Sequence, residues 1–395
     1  MGHHGTRRRG IRRYLRGAAA ARTGDEMSGP ALLLAGLAAT GSATTASSLL
    51  AGLTVSAAVG GPVFGVLLDR SARPGRLLAR ALGGYALALL VVLGCLGRVP
   101  LAVTLPAAVC AGLAGPALSG GWTSQLPRVV TGEALPWATA LDAMTYDLAS
   151  LAGPALAGVT AGLAGAPAGV LVAAALICLA VPSALALPGA GEAARGSGAK
   201  SLASGLTADL AAGFRAVARS RTLARATATS VISCTGQGML LACVPLLGER
   251  CLGGAGHGAL LLSGTAASGL AANAVLARRP RLMRPDSVVR HSALVLAAAL
   301  LLAAAQRPAP LVVAMLMAGA AEGPQLTALF AVRHREAPAH LRARVFTTGA
   351  SLKITGFGLG AGVAGPIAAW SLTGALLTAA GVQLLAAAAG FAPRK

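Results

Sequence analysis

The stretch Gly65-Val-Leu-Leu-Asp69-Arg70-Ser-Ala-Arg73-Pro74-Gly75-Arg76 is a short, strongly basic turn between two long apolar segments, Ser47–Leu68 and Leu77–Leu96. Each segment has the ~20 residues that a helix needs to cross a bilayer. With Arg80 the turn holds one acid and four arginines, which must lie just outside the hydrocarbon. Short arginine-rich loops stay on the cytoplasmic side. The turn therefore fixes the orientation expected for the rest of the chain.

Composition agrees. The 395 residues are 55% hydrophobic and 11% charged, with a mean hydropathy of +0.71. A soluble chain carries about a quarter charged residues, so this one reads as a polytopic membrane protein. The 53 glycines suit helices packed closely through small residues. The alternation of ~10-residue strands that marks an outer-membrane barrel is missing, which leaves an all-α membrane protein. A net charge of +21 could attract nucleic acid, but aromatics are only 3% and the basic residues fall at intervals set by the apolar runs. The excess reads as topology, with no nucleic-acid partner expected.

Twelve spans are predicted: Gly17–Thr40, Ser47–Leu68, Leu77–Leu96, Leu101–Ser124, Trp137–Leu163, Ala168–Leu187, Thr222–Leu247, Ala259–Ala277, Ser287–Ala305, Ala309–Val332, Arg344–Ala368 and Leu372–Phe391. The first is the weakest because it contains Asp25 and Glu26. Parity supports it, since the Arg7–Arg22 tail and the Asp69 turn both belong in the cytoplasm and need two crossings between them. The outer loops then hold only Arg98, Arg250 and Arg307, and Lys353 lies within a span. The remaining basic residues fall on the inner side, in the cytoplasmic membrane of a cell, with both termini cytoplasmic. Arg12-Arg13-Tyr14-Leu15-Arg16 lacks a clean apolar core and a cleavage pattern behind it, so it is expected to stay as a tail.

Three domains follow: 1–187, a six-helix bundle with its tail; 188–221, a linker with a surface-lying amphipathic helix over Leu202–Arg219; and 222–395, a second six-helix bundle. The halves resemble each other. Gly115-Pro116 and Gly323-Pro324 fall in the fourth span of each, Glu133-Ala134 and Glu336-Ala337 follow, and Gly153 and Gly162 recur as Gly356 and Gly365. This ordered set marks a duplicated six-helix unit.

On these residues the chain resembles a major facilitator superfamily transporter over essentially its whole length. The signature of that family between helices two and three reads G-x-L-x-D-R-x-G-R-(R/K). Gly65, Leu67, Asp69 and Arg70 match in place, while Gly75 and Arg76 arrive two residues late. The resemblance implies that Asp69 meets the inner end of helix eleven and nearby arginines, so that the loop gates the outward-facing state. Ser150-Leu-Ala-Gly153-Pro154-Ala-Leu-Ala-Gly158 is similar to the Gly-Pro motif of the antiporter branch, and Gly365-Pro366 echoes it. Close helix packing and an antiporter role are both open for these residues.

Ionisable side chains inside a bilayer are costly and are functional candidates. Those present are Asp25 and Glu26 in the first span, Asp147 in the fifth, Glu322 in the tenth and Lys353 in the eleventh. A proton-coupled exporter of small amphipathic or cationic compounds would use Asp25 or Glu26, supported by Asp147, as a site alternately loaded with protons and substrate. Glu322 and Lys353 would form a switchable pair. Two alternatives are a gradient-driven uptake carrier for a nutrient and a non-transporting membrane sensor. No phosphate-binding G-x-x-x-x-G-K-[ST] occurs, which argues against an ATP-driven pump. The six cysteines and six histidines lack metal-ligand spacing. No enzymatic activity, metal or cofactor is expected, and the partners are substrate, protons and lipid around a monomer.

Overall fold

The computed structural model describes residues 2–189, 212–253, 257–279 and 284–391. Among them there is no strand, and twelve long helices carry the fold. They are α1 (Gly2–Thr40), α2 (Ala43–Arg70), α3 (Pro74–Cys95), α4 (Leu101–Pro116), α5 (Leu135–Ala164) and α6 (Ala166–Leu185), then α7 (Arg221–Leu252), α8 (His257–Arg278), α9 (Pro285–Ala303), α10 (Pro308–Glu336), α11 (Arg342–Trp370) and α12 (Leu372–Phe391).

Helix ends follow local chemistry. The Ser42 hydroxyl accepts the Thr45 N–H at 3.2 Å to start α2, and Ser220 does the same for Leu223 at the start of α7. Such caps satisfy donors that the first turn leaves open. Pro74 stands in the first turn of α3, where its missing N–H costs nothing. Gly165, at φ 86°, separates α5 from α6 in a backbone conformation that side chains resist. Beyond Pro116, α4 passes into a π-helical stretch, Ala117–Gly121.

Among the described residues, eleven helices are long and apolar enough to cross a membrane. The first predicted span lies in α1, which is not among the eleven because Asp25, Glu26 and their polar neighbours lower its hydropathy. The segment read as a tail is also helical and continuous with that span. Alanine and arginine are good helix formers, and Ile11 and Tyr14 bury one face of the extension. Of the predicted linker helix, 212–219 is helical; the rest of Leu202–Arg219 lies outside the described residues.

The chain forms two compact units that are not contiguous in sequence. The first comprises Met1–Ala138, Leu148–Ala216 and Ala337–Ser351, the second Thr139–Asp147, Val217–Glu336 and Leu352–Lys395. The first unit is centred on Trp122, Tyr14, Tyr85 and the leucines of α2 and α3, the second on Met239, Val244, Leu300 and Met315.

Each unit repeats the other's contacts. In the first, a Cβ on Gly112 of α4 would strike the Leu53 carbonyl and Ser56 hydroxyl of α2. In the second, Gly319 of α10 meets the Thr265 carbonyl and Ser268 hydroxyl of α8 in the same way. Gly153 of α5 lies against Glu26 and Met27 of α1, and Gly356 of α11 against the Val231 carbonyl of α7. Duplicated close approach between small residues is the packing that lipid-embedded helices favour.

Candidate functional site

The Asp69 carboxylate, at the end of α2, sits at the N-terminus of α11. The Ala343 N–H donates to Oδ1 at 2.9 Å and the Arg344 N–H to Oδ2 at 3.0 Å. The Arg344 Nε lies 3.5 Å from Oδ2, and only 4% of the Asp69 side chain is exposed. A helix N-terminus presents open N–H groups and a partial positive charge, so a carboxylate satisfies both at once. Arg128 and Arg342 add positive field around it. Partial burial pulls the Arg128 guanidinium below its ordinary value, and the Asp69 charge acts the other way.

Three glycines make room for this contact. A Cβ on Gly65 would lie 2.7 Å from the Arg344 Cα, and one on Gly61 would strike the Ser351 hydroxyl and Thr347 carbonyl. A Cβ on Gly120, in the π-helical stretch, would lie 2.6 Å from the Phe346 carbonyl oxygen. The Ser351 hydroxyl then donates to the Ala57 carbonyl at 2.7 Å. Of the loop residues singled out from sequence, Gly65 and Asp69 reach α11. Arg70 is half-buried at the end of α2. Gly75 instead packs on the Ala184 carbonyl of α6, and Arg76 is exposed. The two extra residues allow Pro74 to open α3 and turn Gly75 toward α6.

In α1, the Tyr85 hydroxyl of α3 donates to Asp25 Oδ1 at 2.7 Å. Tyr85 is only 1% exposed, so the phenol is fixed by packing. Glu26 is exposed, and its backbone forms the floor on which Gly153 rests. One turn earlier, Arg22 donates to the Thr123 hydroxyl at 2.7 Å. The remaining glycine–proline residues do not pack this way. Pro154 and Pro366 are exposed, and a Cβ on Gly158 or Gly365 would meet nothing within 4 Å among the described residues. Close approach in this set is confined to Gly153, because only it faces α1.

In the second unit, the Asn273 amide of α8 donates to Asp147 Oδ2 at 2.6 Å. Thr327 of α10 donates to the Asn273 Oδ1 at 2.6 Å. Asn273 and Thr327 are fully buried, as buried polar groups can be once they are paired. Gly269, one turn before Asn273, leaves room for the carboxylate, since a Cβ there would lie 3.4 Å from the Asp147 Oδ1. Glu322 feels the charges of both Asp147 and Lys353, and Lys353 those of Glu322 and Arg333. Below them Ser233 and Gln237 of α7 bond to Gln325 of α10 at 3.2 and 3.3 Å. The sequence reading missed Tyr85, Asn273, Thr327 and Gln325. A lone amide in Ala-Ala-Asn273-Ala-Val-Leu-Ala was the available signal, because an amide in lipid requires a partner.

A family model described as Major Facilitator Superfamily matches residues 17–350. The chain belongs to that superfamily. It is 27% identical over 373 residues to an uncharacterized MFS-type transporter, y4rN, of Sinorhizobium fredii, covering 87% of this chain and 84% of that one. Its fold is similar to that of the human organic anion transporter MFSD10 (TETRAN), with a TM-score of 0.75 at 17% identity over 97% of this chain and 99% of the other. It is also similar to the E. coli fucose:proton symporter FucP, with a TM-score of 0.73 at 15% identity over 97% and 98%. This major facilitator chain is thus a multi-pass membrane transporter of small molecules, not an enzyme.

Proposed function

We propose that the chain works by alternating access as a proton-coupled exporter of small amphipathic or cationic compounds. One observation carries the reading: within α1, beside a second acid at Glu26, Asp25 takes its hydrogen bond from the neutral phenol of Tyr85. A carboxylate held by a neutral donor can gain or lose a proton without breaking an ion pair. The partner stays in place through both states, since the phenol O–H can donate to the carbonyl oxygen of the protonated acid as well as to the carboxylate. Asp147, on its Asn273 amide, supplies a second such group in the other unit. Glu322 and Lys353 lie within each other's field and serve as the switchable pair.

In this reading, 1–187 and 222–395 are the bundles that rock, joined by the linker 188–221. The clamp of Asp69 on the α11 N-terminus forms in one orientation and releases in the other. Only a contact that differs between two states can shift the balance between them. The basic excess supports cytoplasmic termini in the cell membrane, and the protein acts as a monomer.

The test is transport in proteoliposomes under an imposed pH gradient, with a panel of lipophilic cations, antibiotics and sugars. The double variant Asp25→Asn, Glu26→Gln is expected to lose gradient-driven flux while keeping its thermal midpoint. Flux that survives in the double variant removes the assignment.

A further inference from the structure

The arginine-bearing end of α1 has a use that transport leaves unexplained. At 1.5 Å per residue, a 39-residue helix is about 58 Å long, roughly twice the hydrocarbon thickness. Its early turns lie on the ends of α4 and α6. Tyr14 is 1% exposed and donates from its hydroxyl to the Trp122 carbonyl at 3.3 Å, and the Arg13 Nη2 reaches the Pro182 carbonyl at 2.9 Å. Burial of Ile11 and Tyr14 turns Arg9, Arg12 and Arg16 outward, and all three are exposed.

The other flank of α6 is built alike. Gly75 rests on the Ala184 carbonyl, leaving Arg76 and Arg80 exposed on α3. Beside the two arginine rows α6 bares Leu185 and Leu179, at 55% and 68% exposure, and farther along the helix, toward its start, Leu171, at 50%. No Asp or Glu occurs in 1–24, 70–132 or 166–189. The rows repel each other, and among the described residues none of these arginines forms an ion pair with an acid. Since α3 begins its apolar span at Pro74 and α6 ends its own at Leu185, the rows stand at the boundary where lipid phosphates lie.

We propose that this end of α6 is a binding site for an anionic phospholipid. Its acyl chains lie along Leu171, Leu179 and Leu185, and its headgroup phosphate is held between the α1 and α3 arginines. Guanidinium matches phosphate with paired, charge-assisted hydrogen bonds. Basic side chains near an anionic surface bind cumulatively, by roughly fivefold each.

The test reconstitutes the full chain in nanodiscs of phosphatidylcholine and titrates in brominated phosphatidylglycerol, reading quenching of tryptophan fluorescence. The variant Arg9→Gln, Arg12→Gln, Arg16→Gln is expected to weaken the preference for phosphatidylglycerol by about a hundredfold, an effect that shrinks at high salt. The matching lysine variant keeps most of it, whereas Arg98→Gln, at the other end of α3, leaves it unchanged. Equal binding of phosphatidylglycerol by the wild type and the glutamine variant overturns the site. So does a lysine variant as impaired as the glutamine one, which would mark a structural role.

Discussion

The crossing of α2 with the start of α11 and the crossing of α8 with α5 occupy equivalent places in the two repeats, yet their chemistry differs. The step that carries Ser56 onto Ser268 also carries Ala57 and Gly61 onto Gly269 and Asn273. Ser351 and Asp147 fall within one residue of each other when Gly153 is laid on Gly356. In the first crossing a neutral hydroxyl bonds to a backbone carbonyl over glycine. In the second an amide bonds to a carboxylate, with Thr327 behind it. Duplication kept the close approach and let the contact atoms diverge. A hydroxyl on a carbonyl is indifferent to pH, whereas a carboxylate on an amide is not.

The largest effect is expected at the charged crossing. Asp147→Asn keeps an oxygen for the Asn273 amide but cannot titrate. Proton-driven flux in proteoliposomes should be lost, while the thermal midpoint changes little, since an interhelical hydrogen bond in a bilayer is worth about 0.6 kcal/mol. Full proton-driven flux in this variant would make the two crossings equivalent after all.

Gly61→Val probes the neutral crossing by size. The new side chain meets the Ser351 hydroxyl and the backbone at Thr347, and overpacking of this kind costs about 1–3 kcal/mol. The midpoint should fall well below that of Gly83→Val, where a Cβ meets nothing within 4 Å among the described residues. Equal midpoints would show that the first crossing is loose.

The fold was legible because lipid imposes simple demands: ~20 apolar residues per crossing and arginines outside. Span edges at Leu77–Leu96 and Leu372–Phe391 fall close to α3 and α12. The helical extension of α1 was hidden because a run of arginines looks the same whether solvated or laid along a bundle; only the burial of Ile11 and Tyr14 separates the two. Asp69 was readable from its motif and neighbouring charges. Its bonds to the Ala343 and Arg344 amides were not, because backbone donors leave no residue signature. Tyr85 and Asn273 were missed for a related reason: partners of an acid lie on other helices, at separations of 60 and 126 residues, and periodicity cannot supply the pairing.

Asp69→Asn tests what charge adds beyond the neutral crossing. Asparagine keeps one acceptor for two N–H donors and gives up the interaction with the helix dipole, worth about 0.3–1 kcal/mol and screened by salt. The wild type should be the more stable at low ionic strength, with the gap closing as salt is added. Arg76→Gln, on an exposed side chain, should leave the midpoint where it was. A gap that ignores salt would mean that hydrogen-bond geometry alone holds α11.

The smallest change is expected from Ser351→Ala, and its flatness is the informative part. The substitution removes one hydroxyl and leaves the Ala57 carbonyl within a helix, where its backbone bond persists. The cost should be about 0.6 kcal/mol, the same at acid and neutral pH, because neither partner titrates. Asn273→Ala removes a bond of similar length, but its partner Asp147 does titrate, so its cost should vary with pH. Thermal midpoints of the two variants across a pH series separate the crossings directly: parallel curves would mean that the repeats share one mechanical role, and divergent curves that only α5 with α8 responds to protons.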